Sequence, residues 1–169
     1  MLAGAIGGLV GTLAMNYAQR AWTLAAGEPP PESEAGKHDA RDWQERSEHQ
    51  NANELAAQTL AAVSIRRALT PHELAIAAAA VHFCFGAAAG ALYGAYAEGD
   101  PDRRRSGGGF GASLWLTADE LMMPALGLSA STRERPTELH LQSLAAHLVY
   151  GIVAEHTRRL LRAGPRSRS

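Results

Sequence analysis

The sequence predicts an all-α protein in which four long helices form a transmembrane bundle. Three observations support this prediction. The apolar residues of the 169-residue chain are concentrated in four blocks, near 2–26, 71–97, 107–128 and 137–162. Glycines recur at helical spacing inside these blocks, where they would weaken a soluble helix but allow close contact between helices in a membrane. The polar residues are concentrated in a long connection at 27–70 and in the C-terminal tail.

The composition argues against several classes of function. The net charge is −1 and no stripe of Lys and Arg with interleaved aromatics occurs, so we expect no nucleic-acid partner. The single cysteine, Cys84, provides neither a disulfide framework nor a cysteine-based zinc site. No P-loop, nucleophile elbow or dinucleotide fingerprint is present. We therefore predict no catalytic residues and no cofactor. The sequence favours a protein that is not an enzyme, but it does not decide the question.

The first block is predicted to be an uncleaved helix. It has no charged residue from Leu2 to Ala18, and Gly4 and Gly8 stand four residues apart on one face. This small-xxx-small spacing lets helix backbones approach closely in membranes. No basic segment precedes the apolar run, so a secretory signal peptide fits less well than a helix that stays in the protein.

The connection at 27–70 separates the first two helices. It opens with GEPPPESEAG, which is predicted to be irregular because of its prolines. Loosely periodic leucines predict an amphipathic helix at 53–69. The connection ends at Thr70, which together with Pro71 and Glu73 forms the pattern of a capping box at a helix start.

The second block contains the clearest membrane signal. Leu74 to Ala97 has no formal charge and would be about 36 Å long as a helix at 1.5 Å per residue, which exceeds the roughly 30 Å hydrocarbon core of a bilayer. Gly86, Gly90 and Gly94 follow one another at intervals of four, which predicts a groove on one face for a neighbouring helix.

The third and fourth blocks carry charges within otherwise apolar helices. Asp119 and Glu120 fall near the middle of the third block, and Pro124 is expected to kink or end it. In the fourth block His140, His147 and Glu155 lie within one polar stripe at 100° per residue.

Short motifs recur between the blocks. AVHFCFG at 80–86 is echoed by AAHLVYG at 145–151, and GGLVG at 7–11 is echoed by GGGFG at 107–111. These echoes favour two similar two-helix hairpins, the first enlarged by the polar connection. An even number of spans places both termini on one side. The arginines at 103–105 and in the C-terminal tail favour the cytoplasm for that side.

The polar side chains of these helices predict an inward-facing centre. An aspartate at the middle of a membrane helix costs on the order of 2.5–3.5 kcal/mol, so such groups turn away from lipid and find partners. We predict a polar centre made by six residues, namely His82, Asp119, His147 and Glu155 with Tyr93 and Tyr150 nearby. It would either pass protons or ions, or hold the helices in register through hydrogen bonds. No Glu-x-x-His or His-Glu-x-x-His pattern occurs, so no metal site is predicted.

The ordered set of motifs from Leu74 to Arg162 resembles the YagU-like family of small bacterial inner-membrane proteins. The resemblance rests on HFCFGAAAGALYG, on Trp115 followed by MMPALG, and on His147 through Glu155 with a basic tail. It implies four helices in the cytoplasmic membrane and no established reaction. Where that family has a histidine five residues before the proline, this chain has Asp119, which disfavours a shared metal chemistry but retains a protonatable group.

Two other interpretations stay open. One is a soluble or peripheral four-helix bundle that binds a ligand or metal in a cleft of His, Asp and Glu side chains. The other is a structural membrane protein that forms homo-oligomers through its glycine-rich faces. The glycines predicted to pack helices are Gly4, Gly8, Gly86, Gly90, Gly94, Gly111 and Gly151.

Overall fold

The part of the chain described by the computed structural model is helical and contains no strand. It comprises residues 1–26, 54, 56, 57, 61, 69–99, 106–126 and 137–163. The helices are α1 (Leu2–Ala26), α2 (Pro71–Glu98), α3 (Gly107–Leu114), a π-helical segment (Trp115–Met122), a short turn α4 (Met123–Ala125) and α5 (Thr137–Arg162). The all-α prediction is confirmed. Most of the helix predicted at 53–69 lies outside the described residues. Among the residues of that range that are described, Ala57 and Ala61 are buried.

Helix α2 begins with a capping box. The Thr70 side chain accepts a hydrogen bond from the Glu73 backbone N–H at 3.3 Å, and the Glu73 carboxylate accepts one from the Thr70 N–H at 2.9 Å. Pro71 occupies the first turn, where its missing N–H costs no helical hydrogen bond. The capping box thus marks the end of the polar connection and the start of a helix that has no formal charge from Leu74 to Ala97.

The third apolar block departs from a regular α-helix. Ser106 caps α3 by accepting a hydrogen bond from the Gly109 N–H at 3.2 Å, but from Trp115 the backbone widens into a π-helix. The Met123 N–H accordingly donates to the Ala118 carbonyl, five residues earlier. Pro124 has no N–H, and in an α-helix its ring would crowd the Glu120 carbonyl, so the wider turns accommodate the proline that was expected to kink the helix.

Glycines allow α1 and α2 to touch through their backbones. A Cβ atom built on Gly90 would lie 2.7 Å from the Gly8 Cα, and one built on Gly94 would lie 2.9 Å from the Gly4 Cα. Gly86 faces the buried side chain of Thr12. The spaces that the missing side chains leave are therefore filled by the neighbouring helix.

Helix α5 has similar contacts with two neighbours. On one side a Cβ on Gly7 of α1 would lie 2.5 Å from the Ala154 carbonyl oxygen. On the other, a Cβ on Gly107 of α3 would lie 2.5 Å from the Gly151 carbonyl oxygen. The glycine faces of α1, α2, α3 and α5 are thus in contact with one another within one chain. The association of copies through glycine-rich faces stays a prediction.

The contacts define which helix ends lie together. Glu98 at the end of α2 accepts a hydrogen bond from Arg162 at the end of α5 at 2.9 Å, and its carboxylate is 3.3 Å from the amino nitrogen of Met1. Further along, the Tyr150 hydroxyl reaches Gly86. Helices α2 and α5 thus run parallel, with α1 packed against both.

The distribution of side chains differs from that of a soluble core. Among the described residues the buried hydrophobic ones are mostly alanines, and Tyr150 and Thr12 are the largest fully buried side chains. Large apolar side chains on every long helix point outward, Leu92 with 69 % exposure being one example. In the described part of the chain one helix, α2, is long and apolar enough to cross a membrane.

Candidate functional site

The π-helical segment brings Asp119 against α5. The Ser143 hydroxyl donates a hydrogen bond to the Asp119 carboxylate, and the Nδ1 atom of His147 lies 3.9 Å from the same carboxylate oxygen. Ser143 and His147 occupy successive turns of one face of α5 and are both buried. Asp119 and His147 were predicted from the sequence, whereas Ser143 was not, although it stands four residues before His147 and so shares its helix face.

A backbone contact restricts the protonation of His147. Its Nδ1 lies 3.0 Å from the Ser143 carbonyl oxygen, four residues earlier. A carbonyl can only accept a hydrogen bond, so Nδ1 carries the proton in this contact. In the neutral ring Nε2 is then the nitrogen that accepts a hydrogen bond.

His82 completes the group from the opposite helix. Its Nε2 atom is buried and has no hydrogen-bond partner among the described residues. His82 stands one turn before Gly86 and His147 one turn before Tyr150, so the hydrogen bond between Tyr150 and Gly86 holds the two imidazoles at one level of the bundle. We call His82, Asp119, Ser143 and His147 the polar centre. Three of its members, His82, Asp119 and His147, were predicted from the sequence; Asp119 and His147 lie side by side, and His82 lies at the same level on α2.

The next carboxylate forms a second acid–base pair. Glu120 lies 2.8 Å from the Nδ1 atom of His140, one turn before Ser143 on α5. The Glu120 side chain is 5 % exposed and that of His140 is 20 % exposed, so the pair is buried from the Glu120 side. Consecutive residues of an α-helix point about 100° apart. The wider π-helical turn reduces this angle, which helps both carboxylates to reach the same face of α5.

The two predicted tyrosines lie outside this hydrogen-bonded group. The Tyr150 hydroxyl donates to the Gly86 carbonyl oxygen at 2.6 Å and ties α5 to α2. Tyr93 stacks on Phe110 with ring centroids 4.2 Å apart, and Phe110 is 5.8 Å from the Tyr150 ring. We call these three rings the aromatic layer. It lies next to the polar centre on the side toward Glu98.

Glu155 belongs to a different cluster. Its carboxylate accepts hydrogen bonds from Arg158 at 2.7 Å and from Arg159 at 2.5 Å. It follows His147 by eight residues, about 12 Å along a helix, and lies beyond the aromatic layer. The structure therefore separates Glu155 from Asp119 and His147, with which it was grouped in the sequence prediction.

The described residues contain no group of three or more His, Cys, Asp and Glu side chains arranged to hold a metal ion. What the polar centre contains instead is a carboxylate, a hydroxyl and two imidazoles in a buried setting. Such groups can exchange protons with one another through hydrogen bonds.

Comparison with known proteins identifies the family. Residues 43–156 match a family of proteins of unknown function, DUF1440, and this range includes the whole polar centre. No curated protein and no solved structure matches the chain. The matched range exceeds half of the sequence, so this chain is a member of the DUF1440 family.

Proposed function

We propose that this chain is an integral membrane protein of the YagU-like kind, with four helices bundled across the bacterial cytoplasmic membrane. One observation carries the proposal: large apolar side chains face outward while polar and ionisable ones are buried. Leucine, isoleucine and valine are normally among the most buried residues of soluble proteins, whereas Thr and Glu are mostly exposed. Here Leu2, Leu24 and Ile76 are exposed while Thr12 and Glu120 are buried.

The dimensions of α2 support the same proposal. Its 28 residues would extend about 42 Å at 1.5 Å per residue, which is enough to cross a hydrocarbon core of roughly 30 Å. Of its most apolar 18-residue stretch only 22 % is buried inside the protein, whereas the core helix of a soluble protein would be mostly buried. We infer that the remaining apolar surface of this stretch is in contact with lipid.

The arginines favour one orientation. Arg158, Arg159 and Arg162 lie at the end of α5, beside the end of α2. In the sequence, further arginines follow at 103–105 and in the tail after α5. Positive charge that flanks membrane helices is retained on the cytoplasmic side. We therefore assign this end, with both termini, to the cytoplasm.

Within this membrane protein, the polar centre is proposed to carry protons. His82 follows the start of α2 by eleven residues, about 16 Å along the helix, which is near the middle of a bilayer. Ionisable groups at that depth are expensive, and in membrane proteins they mark proton relays and ion pathways. Asp119 bonded to Ser143, with the two imidazoles beside them, provides a proton donor, a proton acceptor and a hydroxyl that can bridge them.

Extraction of membranes tests the location. The full chain, expressed in bacteria, should remain in the membrane pellet after an alkaline carbonate wash and should enter solution with detergent, because its apolar outer surface requires a hydrophobic solvent. Recovery of folded protein in the aqueous fraction without detergent would support the soluble bundle and overturn the proposal.

Proton flux into liposomes tests the centre. Purified protein should dissipate an imposed pH gradient, and Asp119→Asn should slow this by roughly tenfold or more because the amide cannot exchange a proton as a carboxylate does. Glu138→Gln, an exposed change on α5, is the matched control and should leave the flux unchanged. Equal flux from Asp119→Asn and the control would show that the polar centre does not carry protons. Its role would then be to hold the helices in register.

A further inference from the structure

The Glu120–His140 pair occupies the outer end of a continuous row of polar groups on α5. His140, Ser143 and His147 are spaced by three and four residues and so share one face of the helix. Asp119 bonds to Ser143, and Glu120, the next residue along the π-helical segment, bonds to His140. Each carboxylate is thus matched to one turn of α5, and the two pairs are adjacent.

The row reaches the protein surface at one end and the aromatic layer at the other. His140 is the most exposed member of the two pairs and is the fourth residue of α5, close to the membrane surface at which that helix begins. In the opposite direction His147 is followed by the aromatic layer. There the Tyr150 hydroxyl donates to a backbone carbonyl of α2, and Tyr93 stacks on Phe110. Between the polar centre and Glu155 the polar groups of this layer are the hydroxyls of Tyr150 and Tyr93, of which the Tyr93 hydroxyl is buried.

We infer that Glu120 and His140 form the proton port of the polar centre, exchanging protons between Asp119 and the membrane side at which α5 begins. This inference rests on the proposed function. In each exchange a proton leaves the imidazolium of His140 for the Glu120 carboxylate and passes from the resulting carboxylic acid toward Asp119. His140 then takes a new proton from the aqueous side, and Asp119 passes its proton on through the polar centre, so that His140 and Glu120 end as they began and no oxidant or co-reactant is required.

Two substitutions at Glu120 test the port in liposomes that contain the full chain. Glu120→Gln should lower proton flux by roughly tenfold or more, comparable with Asp119→Asn, because the amide cannot accept the proton from His140. Glu120→Asp keeps the acid one methylene shorter and should restore a measurable part of the flux. Glu138→Gln, exposed in the first turn of the same helix, is again the control and should behave as the unmodified protein.

Measurements of folding separate a lost port from a lost structure. Each variant should elute from a sizing column in detergent as the unmodified protein does and keep its helical circular dichroism. Full flux in a folded Glu120→Gln variant, with flux lost in Asp119→Asn, would overturn the port and leave the proposed function standing. No flux above empty liposomes from the unmodified protein would overturn both.

Discussion

Gly111→Ala is expected to destabilise the folded protein by about 3 kcal/mol, the upper end of the range for overpacking a tight contact. A Cβ at this position would run into the carbonyl oxygen of His147 and lie 2.8 Å from its carbonyl carbon and 3.1 Å from the Leu148 Cα. These are backbone atoms and cannot rotate away, so α3 and α5 would have to separate. The shift would occur at the turn of α5 that carries His147.

The matched control is Gly109→Ala, two residues earlier on α3. A Cβ there would approach only the Ser106 side chain, at 3.6 Å, which is an ordinary contact. Since alanine favours a helix by roughly 1 kcal/mol over glycine, this variant should be as stable as the unmodified protein or slightly more so. Unfolding in mixed detergent micelles measures both variants. If both variants lost a similar amount of unfolding free energy, the close contact between α3 and α5 at Gly111 would not be the cause of the destabilisation.

The glycine positions illustrate what helical spacing can predict. The interval of four between Gly86, Gly90 and Gly94 identifies a face that is free of side chains, and such a face is useful only for close approach. The spacing does not name the neighbour. In the structure that neighbour is α1 of the same chain, at Gly4 and Gly8. The pairing depends on the order of helices in space, which no local pattern contains.

The π-helical segment could not be anticipated from local pattern. Pro124 predicts a disturbance, but a kink, an end and a widened turn all relieve the same clash. Which one forms depends on how well the displaced side chains pack. Here the widening directs Asp119 to Ser143 and Glu120 to His140, and both contacts lie on α5. The Glu120–His140 pair is therefore a product of tertiary structure, although both residues were visible in the sequence.

The grouping of Glu155 with His147 shows the limit of a helical projection. Both residues fall on one stripe because a projection records direction and discards distance along the axis. In the structure the stripe divides into two clusters, with Tyr150 between them. Glu155 meets arginines that follow it by three and four residues, a local pairing that the sequence also contains.

Glu155→Ala is expected to cost about 3 kcal/mol of folding free energy, because it removes one partner of a buried ion pair. The side chains of Glu155 and Arg158 are 6 % and 12 % exposed, and two hydrogen bonds join them. Without the carboxylate, the Arg158 guanidinium loses both of its hydrogen bonds to Glu155. The loss should appear as earlier unfolding in mixed micelles.

Glu98→Ala is the control for this substitution, because Glu98 and Arg162 also pair but are 27 % and 55 % exposed. A pair so accessible to water contributes roughly 1 kcal/mol or less, so the control should unfold close to the unmodified protein. Because Glu155 lies beyond the aromatic layer, folded Glu155→Ala in liposomes should retain its proton flux. If Glu155→Ala kept its stability and lost its proton flux, Glu155 would take part in proton transfer with the polar centre. The polar centre would then extend past the aromatic layer.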